Sequence, residues 1–293
     1  PGFRNPVVCT ADGKIEKAER EILLEDIMNM TSGLTYGGTD ETGRQTDALF
    51  QEVIHGLKEE NGGTISTVEF ANRLGKVPLL YQPGQSWSYG TSADAVGMRF
   101  GDFLKKEIFE PLGMNDTDFW VPAEKQDRLA KVYDCREGQP SVCYLDNNLG
   151  IQNDMAYRPA YEAGGAGLAS TIDDYAKFTQ MLLNGGTYNG VQILRPATVK
   201  FLGGHTLSAV QQAGFDNWIG LEGFSYGNLM RVLVDPTRAV TLGSNGEFGW
   251  DGWLGCYMEV VPEQNMTFLM MTQKKDAGTY TLSRKIRNII FSE

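Results

Sequence analysis

Three kinds of pattern here could carry chemistry: a serine between glycines in a nucleophile's setting, a glycine pair like that of a nucleotide loop, and cysteines and histidines that could bind a metal. Gly223-Phe224-Ser225-Tyr226-Gly227 matches G-x-S-x-G, in which a serine rides a strained strand-to-helix turn and attacks an acyl carbon. That chemistry needs an acid and then a histidine further along the chain, yet both histidines, His55 and His205, precede Ser225. A strand pattern rather than a helix follows it, so the match is expected to be a glycine-rich strand. A serine without such a histidine must lose its proton to a lysine or tyrosine whose own pKa is lowered by positive charge and desolvation. Gly165-Ala166-Gly167 supplies half of a dinucleotide loop, but no strand leads into it and Ser170 stands at the third glycine's place. It reads as a turn before a helix cap. Cys9, Cys135, Cys143 and Cys256 form no C-x-x-C pair, and with two histidines they are too few for a zinc or iron–sulfur set. No cofactor or metal is implied, and free thiols, buried or half-buried, are expected.

The 293 residues carry a formal net charge of −11, which works against the basic surface that a nucleic-acid partner requires. No apolar run approaches the roughly 18 residues of a membrane span. A soluble protein is expected, with the cytoplasm favoured over the periplasm. Pro1-Gly2-Phe3-Arg4-Asn5-Pro6 has neither an initiator Met nor a basic-then-apolar leader and reads as the middle of a loop.

Two periodicities divide the chain. Up to about residue 183 the apolar spacing is helical: a short turn at Leu23–Met28, a helix carrying Leu49, Phe50, Val53, Ile54 and Leu57 and ending at Asn61-Gly62-Gly63, a capping box at Ser66-x-x-Glu69, a helix over Asp102–Phe109, and another over Ser170–Leu183. From about Tyr226 the period is that of strands: Met230–Val234, Gly255–Val260 and Met266–Met271, the last two joined by the hairpin-length Pro262-Glu263-Gln264-Asn265. An amphipathic helix over Tyr280–Phe291 is expected to cover that antiparallel meander.

Five segments, in order, resemble the serine β-lactamase-like family: class C β-lactamases, family VIII carboxylesterases, and their D-aminopeptidase and acyltransferase relatives. Leu24 to Leu34, ending Thr31-Ser32-Gly33-Leu34, looks like the family's L-L-T-H-T-S-G-L. Tyr81-Gln82-Pro83-Gly84-Gln85-Ser86-Trp87-Ser88-Tyr89-Gly90-Thr91 resembles its P-G-x-x-x-x-Y-x-N motif. Ile108–Met114, Gly164–Thr171 and Phe248–Gly255 follow. The resemblance implies an α/β (α+β) fold of the β-lactamase/transpeptidase type, an antiparallel sheet flanked by helices plus a helical lobe. The lobe would take residues 25–179, and residues 1–24 with 180–293 would form the remainder of the sheet-containing part.

Carried over by position, Tyr89 is the implied general base toward the nucleophile and acid toward the leaving group. A phenol with a pKa near 10 needs a cationic neighbour for that work. Thr91 stands where asparagine is usual, and Trp250-Asp251-Gly252 replaces Lys-Thr-Gly in a way similar to the Trp-Gly-Gly of the esterases. Alternation on a strand would turn Trp250 and Gly252 to the substrate and Asp251 away. Gly252 would let the substrate approach, and the Trp253 N–H would hold the oxyanion. The family's nucleophile lies in Ser-x-x-Lys, and no Ser-x-x-Lys occurs in this sequence. Relatives also complete a longer helix after the position of Gly97. These residues are therefore expected to be part of a longer polypeptide and inactive alone. For the parent protein the resemblance implies a serine hydrolase working through an acyl-enzyme on small-molecule esters or amides, most simply a carboxylesterase on small acyl esters. A β-lactamase or D-Ala peptidase is the rival within that class, and a non-catalytic relative binding peptides or cell-wall fragments is the rival outside it.

Overall fold

The computed structural model describes residues 2–56, 65–94, 99–148, 152–278 and 281–292. The expected helix end at Asn61-Gly62-Gly63 and the segment around Gly97 lie outside them. The C-terminal third is a five-stranded antiparallel sheet in which each strand pairs with its neighbour in sequence: Phe224–Gly227, Met230–Leu233, Phe248–Asp251, Tyr257–Val261 and Met266–Met270. The three predicted strands are present within a residue or two, and the G-x-S-x-G segment is the first strand of the meander. The turn at Pro262–Gln264 closes with Asn265 at φ 48°, a left-handed position that asparagine tolerates.

Alternation gives the sheet two buried faces. Met258 and Val260 join Val232 and Phe248 in a core filled from the other side by Met181 and Leu182 of the Ile172–Leu183 helix. That helix starts where Thr171 accepts a hydrogen bond from the Asp174 N–H, one residue beyond the expected cap. On the opposite face the helix Thr281–Ile290 sends Arg287 to Tyr257 and Glu259. Gly249 sits mid-strand because a Cβ there would lie 2.0 Å from the Met258 carbonyl.

The helical region is less regular. Glu41–Gly56 is its longest helix, and Thr67–Leu74 is capped by Ser66 as its spacing predicts. The expected Asp102–Phe109 helix is Phe100–Leu104 continued by a π-helical turn at Lys105–Phe109, then Glu110–Leu112 stopped by Gly113 at φ 68°. Phe50, Phe70, Leu74 and Tyr161 form its core. Of residues 1–24, assigned above to the sheet, the described ones instead pack here. The hairpin Val7–Cys9 with Ile15–Lys17 is bonded to Leu79, through Cys9 N–H to the Leu79 carbonyl and Leu79 N–H to the Val7 carbonyl, because Val8 and Ala18 find their apolar neighbours in that core. The Ile172–Leu183 helix likewise crosses the expected boundary at residue 179 and belongs with the sheet by packing.

Candidate active site

Tyr89 is placed by two loop segments zipped together. Met30, at φ 58°, reverses the chain after the Leu24–Met28 helix, and its carbonyl then accepts from Ser88 N–H at 3.0 Å. The Thr31 carbonyl accepts from Gly84 N–H at 2.8 Å. Gly90 presses so closely on this loop that a Cβ would stand 2.3 Å from the Leu34 carbonyl. A side chain there would prise Tyr89 away from its place, which gives a packing reason for Tyr-Gly-Thr in this chain.

Against the Tyr89 ring lies Trp250, near the end of the Phe248–Asp251 strand. The rings stack with centroids 5.4 Å apart and 29° between planes, and Trp250 Nε1 donates to the Tyr89 hydroxyl at 3.3 Å. Trp218 adds an edge-on ring 5.3 Å from Tyr89, with Tyr36 at 5.7 Å and Trp87 at 6.5 Å. The site is an aromatic box rather than a charged cleft. Behind it, burial first and the neighbouring Tyr89 second push the Tyr226 phenol well above its ordinary value, so Tyr226 stays protonated.

The other expected site residues are distributed differently. Gly252 is exposed, and the nearest atom a Cβ would meet is 4.0 Å away, so the backbone there is open to a ligand. Asp251 turns away from Tyr89 as strand alternation requires and pairs with Arg231. Trp253 does not join the aromatic box: its ring rests edge-on against Tyr144, and its Nε1 donates to Asp276 at 2.5 Å. The tight turn that puts it there is closed by Gly255 N–H to the Gly252 carbonyl, with Gly255 at φ 82°. Thr91 is fully buried and its hydroxyl donates to the Thr35 carbonyl at 3.2 Å, so it supports the loop beneath Tyr89 instead of facing a ligand. Trp218, Tyr226 and Arg231 are additions that spacing did not single out. Their only signal was an indole in a loop and a cation and phenol inside strand patterns.

Neither alternative serine is placed as a nucleophile. Ser225 is buried in its strand, its hydroxyl accepting from Leu207 N–H at 3.0 Å. Ser32 is buried against Ser92, the hydroxyls 2.9 Å apart. Among the described residues no group of three or more His, Cys, Asp or Glu is arranged to hold a metal, and no helix is long and apolar enough to cross a membrane. All four cysteines are free and half-buried.

The fold agrees with what known proteins show. The β-lactamase family profile matches residues 14–289, and the chain belongs to that family of serine hydrolases. Over 290 residues it is 30% identical to protein Rv1367c of Mycobacterium tuberculosis, covering 91% of this chain and 67% of that protein. It is 25% identical to a putative D-alanyl-D-alanine carboxypeptidase of Escherichia coli, covering 94% of this chain and 61% of the relative. Among solved structures it resembles EstCE1, a hydrolase with promiscuous acyltransferase activity, at TM-score 0.73 and 21% identity, over 99% of this chain and 75% of the other. The simvastatin synthase LovD of Aspergillus terreus matches at TM-score 0.73 and 18% identity, over 100% and 75% respectively. These two likenesses establish the β-lactamase/transpeptidase-type fold.

Proposed function

We propose that the parent protein is a serine carboxylesterase acting on small neutral acyl esters, with Tyr89 as the group that moves protons between nucleophile and leaving group. The observation that carries this reading is the Trp250–Tyr89 pair. Where a Lys-Thr-Gly site would offer an ammonium to a substrate carboxylate, this site offers an indole whose N–H is directed at the catalytic phenol. A charge-assisted hydrogen bond contributes on the order of 1.5–3 kcal/mol, about ten- to a hundred-fold in binding, and Trp250 forgoes it. The 30% identity to the lovastatin esterase of Penicillium rubens, over 61% of this chain and 45% of that protein, supports the ester branch. The putative carboxypeptidase among the relatives supports the peptidase branch, which differs in needing an anion-binding group.

The acyl-enzyme requires a Ser-x-x-Lys that these 293 residues do not contain, so the activity belongs to a polypeptide that carries one. There the serine attacks the ester carbonyl, Tyr89 and the lysine take and return its proton, and the Trp253 N–H beside the open Gly252 is the proposed oxyanion donor. The second reading is a non-catalytic relative that binds peptides or cell-wall fragments. In the complete protein, p-nitrophenyl butyrate is expected to exceed nitrocefin by at least about a hundred-fold in kcat/KM, and Trp250→Lys is expected to narrow the ratio. Equal turnover of both substrates would move the protein to the β-lactamase branch, and turnover of neither would favour the binding reading.

A further inference from the structure

Arg231 lies on the second strand of the sheet, almost wholly buried at 3% exposure, and its surroundings are unlike those of a surface cation. Its guanidinium carbon stands 5.5 Å from the centre of the Trp250 ring system, 4.9 Å from that of Tyr257 and 5.8 Å from that of Phe224. Its Nη1 is bonded to the carboxylate of Asp251, the residue directly after Trp250. Across the hairpin it is paired with Tyr226, and across the next strand with Gly249. Glu259, bonded to the Tyr257 hydroxyl at 3.1 Å, completes the titratable groups around it.

Burying a guanidinium costs several kcal/mol even when it is paired, and an apolar residue of similar volume often serves a core as well. A cation kept there is therefore better explained by what it fixes. Tied to Asp251, it holds the strand end. Over the indole, it holds the ring plane, and a planar fork can do both where a lysine ammonium cannot.

We propose that Arg231 is the positioning residue of the Tyr89–Trp250 pair, its guanidinium fixing the indole so that Trp250 Nε1 donates to the Tyr89 hydroxyl. The inference rests on the reading of Tyr89 as the acid–base group, but its geometry can be tested without turnover. In the complete protein labelled with 13C at tyrosine Cζ, Tyr89 is identified as the resonance lost in Tyr89→Phe and is titrated by NMR. Trp250→Phe removes the donor and is expected to move the Tyr89 titration upward by about one pH unit, the scale of a hydrogen bond to a charged oxygen. Arg231→Lys, which keeps the charge but loses the fork, is expected to produce a comparable rise, and the double variant no further rise. Asp251→Asn loosens the same pair and decides the matter if Arg231→Lys does not fold. A lowered melting temperature with the Tyr89 titration unmoved, in whichever variant folds, would overturn the proposal and leave Arg231 a structural residue. An active Tyr89→Phe enzyme would instead sink the acid–base reading, and the positioning result would stand apart from it.

Discussion

Two buried polar regions meet at the sheet, and they treat their polar atoms in opposite ways. Under the C-terminal helix, Arg287 pairs with Glu247 at 2.5 Å and with Glu259, and also donates to the Tyr257 hydroxyl at 3.0 Å, Thr241 at 3.1 Å and the Leu242 carbonyl at 2.9 Å. Its donors are fully used. In the aromatic region around Tyr89, Trp87 Nε1 and the Tyr226 hydroxyl are buried with no hydrogen-bond partner among the described residues. A buried group left unsatisfied costs stability, and here the Trp87 ring lies edge-on to that of Tyr226 with centroids 5.2 Å apart. The first region fastens the helix to the sheet; the second is where the sheet and the loop carrying Tyr89 come together.

The contrast breaks most readily at Arg287. Arg287→Met leaves two buried carboxylates without their cation and is expected to cost about 3–5 kcal/mol, read as a large drop in the denaturant midpoint. A loss below 1 kcal/mol would mean that the ionic region does not fasten the helix. A smaller effect concerns pH. Burial, and then the charge of Glu259, push the Glu247 carboxyl up to about 8 from 4.5, since two carboxylates share one guanidinium. A folded-state value above the unfolded one means the native state binds the extra proton. Glu247 therefore contributes fully below about pH 4.5, and that contribution is lost as pH rises toward 8. Stability should fall across that window with a slope of at most about 1.4 kcal/mol per pH unit, and Glu247→Gln should flatten it in denaturation series at several pH values. The smallest effect belongs to the aromatic region. Tyr226→Phe removes an unpartnered hydroxyl and is expected to leave stability unchanged or raise it by up to about 1 kcal/mol, where a comparable loss would show that the hydroxyl is satisfied after all.

How much of this was legible in the sequence follows from which forces are local. The strands Met230–Leu233, Tyr257–Val261 and Met266–Met270 are written in an alternation that needs only nearest neighbours, and Ser66 and Gly113 mark helix ends by capping and left-handed backbone. The Tyr89 and Trp250 segments were visible as motifs, but that their rings stack depends on residues 161 apart in sequence. At Trp253 the expectation concerned the backbone N–H; where its indole goes, to Asp276, is set by the tight turn from Gly252 to Gly255, which motif spacing does not encode. Thr91 was read from its position after Tyr89, while its burial is set by the distant Thr35 carbonyl. Residues 1–24 were misassigned because the partner of their hairpin, Leu79, lies in a segment whose periodicity says nothing about strand pairing.

The most direct test of the account is kcat for Tyr89→Phe beside Ser225→Ala, measured with p-nitrophenyl butyrate in a polypeptide that includes Ser-x-x-Lys, with folding checked by circular dichroism. Loss of a general acid–base residue is expected to lower kcat by about two orders of magnitude or more in Tyr89→Phe, while Ser225→Ala, which loses only a structural bond to Leu207, stays near the parent rate. Equal losses in two well-folded variants, or a Tyr89→Phe enzyme as fast as its parent, would contradict the claim that the Tyr89–Trp250 pair is the centre of the chemistry.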